Sequence, residues 1–278
     1  MGARIETHTY LSRVNDAVDR TVYINSVTQV GATNIYTITT NNTKWIGVGE
    51  AINRTVTIGG EDYLVKDVTA NTSFKIEVAT GQAVPTASSF LVGALYFYKG
   101  TYISTNNELT QETNSINKTP FLYFNEPSTD RNVNDELSSI DRFSECQLYA
   151  MMDANFEDWT NEQHYNYCIA AMSNYFKEFI IAAKNVSFIN EFTDDSTSEN
   201  HVKWGVYQDN KGHIKNIFNE KLSGKKLTIT FPFAKQYGCV DDYVPPTSGE
   251  IDLVINFNET EYYNQTITED TTINIVYT

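Results

Sequence analysis

The spacing of apolar residues divides the 278-residue chain into four stretches. Near the start, Leu11, Val14 and Val18 recur at i, i+3 and i+7. This predicts a short helix over residues 9–18, with Thr9 as N-cap. From Thr21 to Tyr98 the period drops to two. Strand-like runs occur at Val22–Ile24, Ile35–Ile38, Thr55–Ile58, Tyr63–Val65 and Phe74–Val78. Gly31, Asn41-Asn42, Gly59-Gly60, Asn71 and Gly81 punctuate them as turns. Gly59-Gly60 is the strongest hairpin signal, because a two-residue turn of this kind needs positive φ. Five or six short strands in this span predict a small barrel or sandwich.

Residues 100–119 are polar and read as a linker or long loop. The third stretch begins at Pro120. Phe121–Phe124 reads as a fully apolar strand and Phe143–Met152 as another. A helix is expected from about Thr160 to Lys184, opened by a Thr160/Gln163 capping box. Its apolar stripe runs through Tyr165, Cys168, Ile169, Met172, Tyr175, Phe176, Phe179, Ile180 and Ala183. Tyr165, Ile169, Met172, Phe176, Phe179 and Ile180 are taken as the spine that meets the core. Thr193–Asn200 reads as an acidic loop, Val202–Tyr207 as a strand, Asp209–Gly212 as a turn and Lys226–Phe231 as a strand. After Pro245-Pro246 the chain alternates again, at Ile251, Leu253, Ile255 and Phe257 and at Ile273, Ile275 and Tyr277.

The expected fold is therefore α+β. One long amphipathic helix packs on a mixed or antiparallel sheet. Residues 1–20 and 100–240 form this core, 21–99 an inserted all-β small barrel or sandwich, and 241–278 a β C-terminal extension or arm.

Composition sharpens this picture. Twenty Lys and Arg stand against 35 Asp and Glu, a net charge of −15. That disfavours a protein that grips nucleic acid, since phosphate binding needs clustered cations. Three cysteines do not make a disulfide scaffold. No apolar run reaches the ~18–20 residues of a membrane span, and the first residues lack a signal-peptide core. With 33 Thr, 28 Asn and 18 Tyr, the chain has the composition of β-rich virion parts and adhesins.

Candidate chemistry is sparse. His164 and Cys168 lie at i, i+4 on the long helix, a legitimate ligand pair, but no HExxH or CxxC completes a metal site. Cys168 reads instead as a small hydrophobe. No nucleophile elbow or P-loop occurs. Asp241-Asp242 could serve as a carboxylate pair, but reads better as a solvated loop. Asp194-Asp195 with Glu199 could hold Ca²⁺, yet lacks EF-hand spacing. Trp159, next to the helix start, suits a staple and Trp204 suits the core. Trp45, with Tyr96 and Tyr98, is read as an exposed contact for a partner. No cofactor is expected, and the chain is read as non-enzymatic.

With the β insertion set aside, the order helix, strand, strand, long helix, strand, strand remains. Carried by Thr9–Asn15, Pro120–Glu126 and the helix His164–Ile181, this order resembles the α+β core of tail-terminator and related neck proteins of tailed bacteriophages. The likeness spans about 120 residues and is one of element order. The β insertion and the C-terminal β segment depart from it. It implies a virion protein that forms a six- or twelvefold homo-oligomeric ring at the head-to-tail junction. It also implies portal, adaptor or tail proteins as neighbours, and DNA passing through without sequence-specific binding. Assembly would take place in the host cytoplasm. A carbohydrate- or surface-binding β protein, such as a fibre or adhesin component, is the alternative, and a hydrolase acting on glycan a third reading.

Overall fold

The computed structural model describes residues 5–47, 55–111, 119–133, 139–186, 188–189, 196–208, 210–211, 214–216, 218, 221–234, 251–257 and 261–267. It has the expected α+β architecture. Helix α1 (Thr7–Asp16) leads into six short strands: β1 (Thr21–Gln29), β2 (Ile35–Thr40), β3 (Thr55–Ile58), β4 (Glu61–Thr69), β5 (Ser73–Glu77) and β6 (Ser89–Leu91). They form one antiparallel sheet in the order β3-β4-β5-β2-β1-β6. The end strands β3 and β6 approach each other, so the sheet curls into a nearly closed barrel. The Gly59-Gly60 turn has φ of 64° and 90°, as the hairpin requires.

The second sheet is mixed. It contains β7 (Tyr96–Gly100), β8 (Phe121–Asn132), β9 (Ile140–Asp153), β10 (Ser196–Trp204) and β13 (Leu222–Ala234), in the order β10-β13-β9-β8-β7. Between β10 and β13 lies a small hairpin, β11 (Val206–Gln208) with β12 (Ile214–Asn216). Among the described strands only β7 runs parallel to its neighbour, β8. The two are joined by helix α2 (Tyr102–Gln111), the crossover that parallel neighbours need. Strand 96–100 thus belongs to the second sheet rather than to the barrel it follows in sequence. Residues 100–119 were expected to be a loop, and α2 corrects this. Thr101 and Ser104 cap its start reciprocally, each backbone N–H donating to the other's hydroxyl, at 2.9 and 3.3 Å. Its buried face is only Thr105 and Leu109, too thin a stripe for periodicity to detect.

The long helix, α3 (residues 161–185), comprises Asn161–His164, a π-helical turn at Tyr165–Ile169 and Ala170–Asn185. The expected capping box is present. Gln163 N–H donates to Thr160 Oγ1 at 3.3 Å, and Thr160 N–H to Gln163 Oε1 at 2.8 Å. Ile169, Met172, Phe176 and Phe179 are buried as expected, and Ile180 is half-buried against the core. Tyr165 is a correction: it is 52% exposed. The π-turn adds a residue to one turn and so rotates everything before it. His164 takes the inward place instead, fully buried. Trp159 packs edge-on to His164 at 5.3–5.5 Å from it and Tyr167, the staple geometry of an N′ residue against N4.

Other boundaries move for physical reasons. Helix α1 starts two residues before Thr9, because Thr7 turns inward and shares a 3.1 Å hydrogen bond with Ser144 Oγ. Ser196–Asn200, expected within a loop, is the first half of β10. It is a sheet edge with four consecutive exposed residues, so it has no apolar alternation to read.

A single apolar core runs from α1 and the barrel through α3 to one face of the second sheet. Tyr10 is edge-on to Phe231 and Phe233, and its hydroxyl donates to Ala183 O at 3.0 Å. A smaller core on the other face gathers Tyr123, Tyr149, Trp204 and Phe218 under α2. Trp204 is buried there as expected, stacked on Phe218 at 4.4 Å.

Residues 4–235 make one compact unit. Residues 236–278, with 1–3, make another, whose described part is the antiparallel ladder of β14 (Ile251–Phe257) and β15 (Glu261–Ile267), seven residue pairs long. The alternation expected at Ile273–Tyr277 lies outside the described residues.

Candidate functional site

Trp45 does not stand exposed. It is 3% exposed, its indole N–H donates to Gly93 O at 2.7 Å, and its ring lies edge-on to Tyr175 at 5.3 Å. An indole of this size is held inside by the apolar area it removes from water, provided its N–H finds an acceptor. The partner-contact role expected for Trp45 is therefore corrected to a bolt between barrel loop and long helix. The leading aromatic of the carbohydrate-binding alternative goes with it. Tyr96 is 40% exposed on the edge strand β7, while Tyr98 is half-buried and edge-on to Phe121 at 5.5 Å.

His164 and Cys168 do not converge on a common point. His164 Nδ1 shares a 3.0 Å hydrogen bond with Ser223 Oγ, and Cys168 Sγ points to Asp153 O at 3.6 Å. Among the described residues no three His, Cys, Asp or Glu side chains are grouped as a metal site would need. Burial, and then the Lys203 charge, lower the pKa of His164. Cys146 lies fully buried in β9, and burial pushes its thiol up to about 12. It is therefore a packing residue and a poor nucleophile. Asp194, Asp195, Asp241 and Asp242 lie outside the described residues. Glu199 sits on β10, 3.5 Å from Lys226 Nζ and 3.8 Å from His201 Nε2.

One concave feature was not read from the sequence. A groove of about 340 Å³ lies between α3 and the β10–β13 side of the second sheet. Phe176 and Leu227 contribute to its apolar lining, and Lys177 and Lys225 bring two ammonium groups to it. Lys225 Nζ donates to Ser173 Oγ at 2.9 Å. Among the described residues no carboxylate pairs with either lysine. Ser196 and Ser198 line the side formed by β10. The wall is held rigid by Asn174, whose Nδ2 donates to Lys44 O at 2.9 Å and to Asn71 Oδ1 at 2.6 Å. Lys177 and Lys225 lie 48 residues apart on different elements, so no local spacing could have paired them.

The outer edge of β10 is the second feature. β13 pairs with it on one side, and it ends the sheet on the other among the described residues. An open strand edge is a ready acceptor for another strand.

Comparison of the chain with family models, with curated proteins and with solved structures gave no match.

Proposed function

We propose that this chain is a structural virion protein of a tailed bacteriophage, one subunit of a homo-oligomeric ring at the head-to-tail junction. The observation that carries the reading is the pairing of two β features. Among the described residues the sheet of the compact unit 4–235 ends in an open edge, β10, and the described part of 236–278 is a two-stranded ladder. A ring needs heterologous contacts, one patch on each subunit fitting a different patch on the next. Strand addition at a sheet edge supplies such a contact through main-chain hydrogen bonds. The net charge of −15 suits a bore through which DNA slides, because acids repel phosphate where cations would hold it. Portal, adaptor or tail proteins would be its neighbours, and no catalytic step is assigned to it. No helix among the described residues is long and apolar enough to cross a membrane.

The test is light-scattering mass over a concentration series, alone and with purified portal or tail proteins, with negative-stain images of the same fractions. Closed rings of six or twelve copies are expected. A ~31 kDa species under every condition would overturn the reading.

A further inference from the structure

The charges of this chain are unevenly divided. Residues 236–278 hold eight Asp and Glu and no Lys or Arg, while residues 1–235 hold 27 acids and all 20 cations. The acidic segment therefore has no cation of its own to pair with. On the other unit, Lys177 and Lys225 face one groove with no carboxylate on either among the described residues. Burial, and after it the nearby Lys177 charge, lower the proton affinity of the Lys225 amine. Two like charges beside one groove repel each other, and an anion between them relieves that repulsion.

We propose that this groove receives the acidic C-terminal segment of a second copy of the chain. Its carboxylates meet Lys177 and Lys225, and its backbone extends the sheet along the outer edge of β10. The inference rests on the reading of the protein as a self-assembling subunit and names where one copy grips the next. Three properties of the groove fit this occupant. Ser196 and Ser198 place the edge strand itself in the groove wall, so a strand added to β10 runs alongside the lysines. The serine hydroxyls around them can donate to carboxylate oxygens. The donor segment is already β-forming, with Asp252 inside β14 and Glu261 opening β15.

Mixing ¹⁵N-labelled and unlabelled full-length chains and coupling amines to carboxylates with a carbodiimide tests this directly. Cross-links from Lys177 or Lys225 to acids within 236–278 are expected in peptides that join a heavy and a light chain. Cross-links confined to one copy, or none from these lysines, overturn the proposal. In parallel, Lys177→Glu on the exposed face of α3 should weaken self-association by about tenfold or more, and Lys177→Arg should not. Wild-type-like thermal unfolding of both variants separates assembly from folding. If the wild type assembles and Lys177→Glu assembles equally well, this inference fails and the ring reading stands. A wild type that never self-associates overturns both.

Discussion

Lys44 Nζ donates to Glu178 Oε1 across 2.7 Å, tying the loop after β2 to the middle of α3. Both side chains are largely buried, at 6% and 17% exposure, and Asp19 Oδ2 adds a second acceptor at 2.9 Å. Burial alone would lower the Lys44 pKa, but Glu178 and then Asp19 outweigh it and raise it. Lys44 holds a φ of 49°, so the ammonium is bound at a residue in the left-handed backbone region.

Removing the carboxylate should therefore cost more than a surface ion pair. Glu178→Ala is expected to destabilise by about 1–3 kcal/mol, with Asp19 compensating part of the lost partner. Urea unfolding at pH 7 measures it. Because the folded-state pKa of Lys44 is raised, this contribution is complete below the unfolded lysine value of about 10.4 and is lost as pH rises through the folded value. The difference between wild type and variant should therefore shrink in alkali.

The π-turn predicts two unequal substitutions on one helix. Phe176→Ala empties a buried site and should cost about 3–5 kcal/mol. Tyr165→Ala, four residues before Ile169 on the same sequence stripe, should stay within about 0.5 kcal/mol because its ring is exposed. Equal penalties in chemical denaturation would mean that the helix is regular through residue 165.

Gly224 lies in β13 opposite Met151 of β9 and His201 of β10. A Cβ there would sit 2.1 Å from Ala150 O and 2.9 Å from Met151 Cα, both backbone atoms. Gly224→Ala should lower stability by about 1–3 kcal/mol or more through strand displacement. Thermal unfolding reads the loss, and an unchanged midpoint would contradict the strand spacing.

Acid should weaken the fold before most carboxylates titrate. Burial lowers the pKa of both His164 and His201, so the folded state binds fewer protons than the unfolded chain. Stability is then full above the unfolded histidine value of about 6.5 and falls as pH drops from there toward the folded values. The urea midpoint followed from pH 7.5 to pH 5 should decline in wild type and decline less in His164→Gln.

Much of the fold was legible because it is written in local period. The barrel strands alternate and are bounded by glycine or asparagine, and the capping box at Thr160 announces α3 outright. The elements without such a signal have a common cause. α2 buries only Thr105 and Leu109, and the first half of β10 is an edge strand of Ser, Thr, Glu and Asn. Elements that cover little apolar surface leave little hydrophobic signal. Trp45 reads as exposed because its neighbours Asn42 and Lys44 are polar, yet they serve loop geometry and a buried ion pair rather than solvent. The groove depends on residues that only tertiary packing brings together.

The π-turn at Tyr165–Ile169 also has a meaning in terms of chain length. It is the trace of one residue added to a helix whose two halves each keep their contacts. Deleting a residue from this turn would let α3 close into a regular helix, but would turn its first segment by about 100°. His164 would leave Ser223, and Trp159 would lose its seat. The carbonyl of Tyr167 lies where a Cβ on Gly47 would come within 2.8 Å of it, so the barrel loop has settled against the widened turn. A one-residue deletion here should thus do more damage than many substitutions, because the extra length has become the surface on which another part of the chain rests.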